Sequence, residues 1–451
     1  MTNLLKRIQL RLFGMVPLML GVLLGTAAIL VPLDAQAVPS FARQTGQNCV
    51  ACHAGGQFPE LTTYGRMFKM TGYTIGERTV PLSVMGLASY ASIANAPEGT
   101  QKHAQPIFAT GSLFLAGKIT ENIGAFTQIT YDNYAVDNGD GTFSGHTQAD
   151  NMDLRFANHI VTDKQDWIYG VSLNNNPSIS DPWNSAAAWM QYVPVPSPSS
   201  HQFIDGTTPY PGFGSGGNIA GLSAYLFWNK TVYAEVGTYK TADQILSFMS
   251  EGIADASKTK LSGSNNPYWR LALSHEWGAH NLMVGASGMT AHVYDGGADT
   301  SDPGNLGQFS NNGIDAQYQY ILDPHTITAQ LAYMQQEQTW SDNAINTASG
   351  TSGLTDTVNK SRAKVSYVYK AKYGGSLAYF NQTGTTSVLQ TTDPATNGMT
   401  YEAFWIPKQN IRIGAQYTAY GKYNGATDNY DGNGRNASDN NTLFLYAWFA
   451  F

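Results

Sequence analysis

From Val80 to Phe451 the chain alternates apolar and polar residues in runs of strand length, and this period of two limits its fold more than any other feature. A period of two puts successive side chains on opposite faces of a strand, so each run has one apolar and one polar face. "YWRLALSHEW" from Tyr268 and "RAKVSYVYKA" from Arg362 carry the pattern clearly. With "LSVMGLASYASI" from Leu82 in front, the runs number about sixteen, an even count of the kind bacterial transmembrane barrels need. A sheet with one face toward lipid and the other toward a wet lumen keeps mean hydropathy low, here −0.25. Charged residues make up 13% of the chain, where about 25% is usual. No apolar run after Leu33 is long enough for a membrane helix. The fold class is therefore all-β, a transmembrane antiparallel β-barrel over residues 80–451.

The connections predict the barrel's orientation. Short turns such as "TENIG", "EWGAH" and "KYGG" alternate with long polar stretches. The long ones are Val136–Ala149, Asn175–Asn218, Thr241–Pro267, Asn346–Asn359 and Gly421–Asn440. Short periplasmic turns and long outer loops are the usual asymmetry of outer-membrane barrels. The last run places Leu443, Leu445, Ala447, Phe449 and Phe451 at period two, ending on an aromatic. The register sends Asp132, Asp153, Arg155, His159, Glu235 and Arg270 inward, and likewise Glu276, Asp315, Arg362, Lys364, Glu402 and Arg412. A charge facing lipid at mid-depth would cost about 2–4 kcal/mol. A lumen enclosed by about sixteen strands is wide enough for water or a plug.

The front of the chain predicts export. Lys6, Arg7 and Arg11 precede an apolar run from Met15 to Leu33, and Ala35–Ala37 reads as a small-x-small cleavage site. Residues 1–37 form a signal peptide by this pattern. The net charge of −7 argues against nucleic acid as a partner. The expected location is the outer membrane, with lipid around the barrel.

Cys49 and Cys52 are the only cysteines, and His53 follows them in "CVACH". C-x-x-C-H is the attachment signature of a c-type haem. Two thiols on one turn add to the two vinyl groups of a porphyrin, and the next residue offers an imidazole to the iron. A zinc knuckle needs four ligands, and no further cysteine exists. A redox disulfide motif has no need of His53, and a structural disulfide at this separation would be strained. Residues 38–79 are too few to bury a core alone, so a covalent haem c would supply one. Gly55, Gly56, Pro59, Gly65 and Gly72 predict loops there, with at most a short helix around "TTYGRMFKM". Met67 and Met70 are the nearby candidates for the sixth iron ligand, with Met85, His103 and His159 more remote and an open site as the alternative. Arg43, Arg66 and Lys69 are candidate partners for the haem propionates. The carboxylates of Asp137–Gly141 and Asp428–Gly434 offer oxygen ligands to a cation or form solvated turns.

"PSFARQTGQNCVACHAGGQFPELTTYGRMFKMTGY", Pro39 to Tyr73, followed by a barrel of this length, resembles the fused monohaem cytochrome–porin family. "NNNPSISDPWNSAAAW" from Asn174 resembles an early-barrel segment of the same family. "AGGQ" after His53 is longer than the family's usual spacing. The resemblance implies an outer-membrane barrel with the small haem domain as its plug. It also implies an oxidoreductase function: extracellular Fe(II) as electron donor, and a periplasmic cytochrome c or copper protein as acceptor. Another donor, outward electron flow, and a diffusion porin whose haem domain is a plug or sensor are the alternatives.

Overall fold

A computed structural model describes residues 39–56, 60–96, 103–137, 143–183, 218–250, 260–294, 298–348, 354–386 and 393–451. The signal-peptide segment and most of the Asn175–Asn218 loop lie outside the described residues. Strand-length alternation becomes strands nearly where the sequence places them. In chain order they are β1 Leu82–Ile93, β2 Pro106–Lys118, β3 Ile123–Asp137, β4 Phe143–Val161, β5 Asp166–Asn174 and β6 Ile219–Trp228. Then come β7 Val232–Thr241, β8 Lys260–Leu261, β9 Pro267–Trp277, β10 His280–Tyr294, β11 Leu306–Leu322 and β12 His325–Thr339. The last are β13 Thr355–Tyr369, β14 Tyr373–Gly384, β15 Thr396–Lys408, β16 Ile411–Lys422 and β17 Thr442–Ala450.

All pairings are antiparallel and join chain neighbours except around β8, where β7 pairs with β9, and β17 returns to β1 from Met85↔Ala450 to Ile93↔Thr442. The two-residue β8 only edges β10, so sixteen of the seventeen strands close the ring. Closure leaves no unpaired edge, which lipid could not solvate. One end carries turns of two to four residues; the other carries connections of five to forty-four. β1 begins and Phe451 ends at the short-turn end.

Burial follows the predicted alternation. On β9, Trp269, Leu271 and Leu273 face out, while Tyr268, Arg270, Ala272 and Ser274 are buried. On β13, Val365 and Tyr367 face out between buried Lys364, Ser366 and Val368. Aromatic residues ring the short-turn end: Trp167 stacks on Trp228 at 5.7 Å, and Trp277 on His280 at 5.3 Å. Such rings are typical where a barrel meets the membrane interface. One connection differs from expectation. Val136–Ala149 is not a loop throughout, because β4 starts at Phe143 and pairs with β3.

Candidate functional site

The segment before β1 folds as three short helices, α1 Pro39–Thr45, α2 Cys49–Cys52 and α3 Thr63–Met70. The α3 helix lies where the sequence predicts one. Thr62 caps it, its side chain accepting from the Gly65 N–H at 3.1 Å. α2 is a single turn that carries both thiols. His53 leaves it in extended conformation, its N–H donating to the Cys49 carbonyl at 2.8 Å. The chain then doubles back: His53 bridges Leu61, the Ala54 N–H donates to the Glu60 carbonyl, and the Thr62 N–H to that of Cys52. Gly65 lies within α3 and not in a loop, and the position needs glycine because a Cβ there would overlap the Cys52 carbonyl oxygen. Phe41, Phe68 and Tyr73 supply a small aromatic core, with centroids 4.9 and 5.3 Å from Phe41. Each such ring pair is worth about 0.5–1.5 kcal/mol beyond its buried area.

This segment sits inside the barrel toward the short-turn end and is tied to the wall on every side. The Lys118 N–H of β2 donates to Gln44 at 2.8 Å. Tyr73 donates to Asp153 of β4 at 2.6 Å, and Tyr225 of β6 to the Met70 carbonyl at 2.6 Å. Thr63 donates to Glu276 of β9. Arg66 reaches Asn281 of β10 at 2.8 Å and Gln319 of β11 at 3.0 Å. Lys364 of β13 pairs with Glu60 at 2.7 Å, both buried. Removing one partner of such a buried pair costs about 3–5 kcal/mol. The Cys49 thiol lies 3.6 Å from the carbonyl of Gln409 in the β15–β16 turn.

The predicted site residues separate into three groups. Cys49, Cys52 and His53 stand together on the α2 turn. Burial pushes the Cys52 thiol up to about 11, opposite to the depressed values of reactive thiols in disulfide exchange. Met67 and Met70 sit about 200° and 140° round α3 from Gly65, at 100° per residue. Met70 packs there against Ile168, Trp183, Tyr225 and Met283 of the barrel side, with Met67 beside it. His103 accepts from the Ile93 N–H at the long-loop end, and His159 pairs with Asp166 at 2.7 Å near a short turn. Arg43 bonds the carbonyls of Val80 and Leu82. Arg66 is held by Leu61, Thr63, Gln319 and Asn281. Lys69 donates to the Asp181 carbonyl at 2.8 Å, and burial pushes its ammonium down to about 7.

All twelve charges assigned inward by register do line or face the lumen. The sequence did not reveal that Glu60, Lys364, Glu402 and Arg412 form one network beside the His53 loop. Arg412 pairs with Glu402 at 2.7 Å, and its guanidinium lies 3.7 Å over the Phe404 ring. The available signal was the inward register shared by Arg362, Lys364 and Val368. Among the described residues no group of three or more His, Cys, Asp or Glu is arranged to hold a free metal ion. Asp431 accepts instead from the N–H groups of Asn433 and Arg435, as a solvated turn does.

A helical turn bearing two thiols and ending in an imidazole can hold a porphyrin by two thioethers and one axial bond. Fold and site together define a plugged transmembrane barrel. No protein-family model matches the chain, and no curated protein matches it. Solved structures with barrel folds do. The outer membrane channel DcaP of Acinetobacter baumannii is 12% identical, covering 82% of this chain and 96% of its own, at a TM-score of 0.45. The anion-selective porin from Comamonas acidovorans is 10% identical, covering 82% and 99%, at 0.44. Salmonella typhi OmpF, in complex with daunomycin, is 10% identical, covering 82% and 97%, at 0.42.

Proposed function

We propose that this chain is an outer-membrane electron conduit with one covalent haem c in its lumen. It takes electrons from extracellular Fe(II) and passes them to a periplasmic cytochrome c or copper protein. The observation that carries the reading is the Cys49–His53 turn, seated inside a closed barrel and bonded to strands around the ring. Cys49 and Cys52 would form the thioethers and His53 the axial bond. Met67 or Met70 remains the candidate for the opposite ligand, and Arg43, Arg66 and Lys69 for the propionates. When bound, the haem supplies a one-electron redox centre.

The protein's part is placement. The hydrocarbon core is about 30 Å thick, so a single centre must lie within the barrel to be reached from both mouths. The plug contacts hold the α2 turn near the short-turn end, within reach of a soluble carrier. The long connections surround the other mouth, where Fe(II) would arrive. It would then pass down the lumen to give its electron at the haem edge, because the redox centre would lie at the α2 turn and not at the outer mouth. Fe(II) as donor rests on the resemblance of Pro39–Tyr73.

A second reading, a diffusion porin with a haem plug or sensor, is favoured by one feature. Inward residues of the wall include uncharged Gln128, Thr130, Asn311, Gln338 and Thr418, all buried, so much of the inner face is polar without being charged. Stopped-flow absorbance of the detergent-purified holoprotein, mixed anaerobically with Fe(II) near neutral pH, tests the first reading. Rapid growth of the reduced haem band is expected. A haem that dithionite reduces and Fe(II) does not would remove Fe(II) as donor and turn the test to sulfur donors and outward flow.

A further inference from the structure

We propose that Arg362, on the inward face of β13, binds a haem propionate, with Val368, Phe404 and Ile406 packing the edge of the macrocycle. The inference rests on the haem reading above. Its basis is the order of residues along one wall. Val368 abuts the loop after His53: a Cβ on Gly55 would come within 2.8 Å of it, and one on Gly56 within 4.0 Å of Ile406. Val368, Phe404 and Ile406 form one buried apolar cluster. From Val368 the same face of β13 continues through Ser366 and Lys364 to Arg362, about 6.6 Å per step of two residues. The wall therefore changes from apolar to cationic with distance from the short-turn end. A haem has the same polarity, an apolar ring with two carboxylates on one edge.

On this wall Arg362 is left without a carboxylate partner while the cations beside it are paired. Lys364 pairs with Glu60, and Arg412 with Glu402. Arg362 lies close enough to Glu60 to feel its charge, but makes no hydrogen bond or ion pair among the described residues. The Ser366 hydroxyl is 2% exposed and also has no partner. A carboxylate is the group to which the planar fork of Arg362 donates best. The cations first considered for this role have other partners. Arg43 holds two backbone carbonyls, Arg66 four oxygen atoms and Lys69 the Asp181 carbonyl.

Resonance Raman spectra and redox titrations of purified holoprotein test this, using Arg362→Gln, Arg362→Lys and Arg66→Gln. Arg362→Gln should shift the propionate bending band and lower the midpoint potential, because a cation that offsets propionate charge is lost. Arg362→Lys keeps the charge without the fork, so it should move the band and leave the potential near wild type. An unmoved band in Arg362→Gln, as expected if Arg362 instead takes a free anion from the lumen, overturns the inference. So does a band that responds to Arg66→Gln alone. A wild-type protein with no covalent haem overturns both this inference and the functional reading. A haem-bearing protein indifferent to Arg362 overturns only the inference.

Discussion

At Gly65 a single hydrogen atom decides how closely α2 and α3 approach. A Cβ there would overlap the Cys52 carbonyl oxygen, which is already engaged by the Thr62 N–H. Neither atom belongs to a flexible side chain, so the two helices must separate. Overpacking of this kind costs about 1–3 kcal/mol. On the haem reading proposed above, Gly65→Ala should therefore cut covalent haem per polypeptide several-fold by pyridine haemochrome assay, while heat-modifiable gel mobility stays that of a folded barrel. Full haem content in the variant would remove the close approach from the argument. The sequence makes the thiols and imidazole plain, because their chemistry needs only local spacing. It does not settle the sixth ligand. Which way Met67 and Met70 face depends on how α3 docks, and Gly65 fixes that through its close approach to Cys52, which lies on a separate helix.

Strands were legible where the membrane imposes the alternation and illegible where it does not. β10 lies in the first class, with Val284 exposed to the lipid side and Ser287 turned inward. A cation on the lipid face near mid-depth costs about 2–4 kcal/mol, whereas the lumen can hydrate it. Val284→Arg should therefore lower the urea midpoint for unfolding from lipid vesicles clearly, and Ser287→Arg much less. Equal losses would contradict the assigned faces. The start of β4 lies in the second class. From Phe143 to Ala149 the ladder with β3 continues, with register shifts at Thr127/Ile129 and Asp132/Val136. Where a hairpin leaves the membrane, water reaches both faces, so hydrogen bonding persists after the apolar period has gone. "FSGHTQA" consequently reads as a loop in sequence and folds as strand.

At the scale of the whole molecule, the even strand count and the loop asymmetry both follow from closing a sheet in a bilayer, so each left a mark in the sequence. The depth and contacts of the plug left none, because its partners come from strands far apart in the chain. Those contacts separate a conduit from a pore. The barrel closes through β1–β17 pairs, none of which involves a residue of 39–79. Removal of that segment should therefore leave a folded barrel with an open lumen. In planar bilayers the intact protein should pass little current, and the deletion should give large, steady steps suited to a barrel of sixteen strands. The contrast matters more than either value. Similar large steps from both would mean that ions pass beside the plug, which favours the diffusion porin. Little current from the intact protein and large steps from the deletion would show that residues 39–79 close the lumen, as the proposed conduit requires.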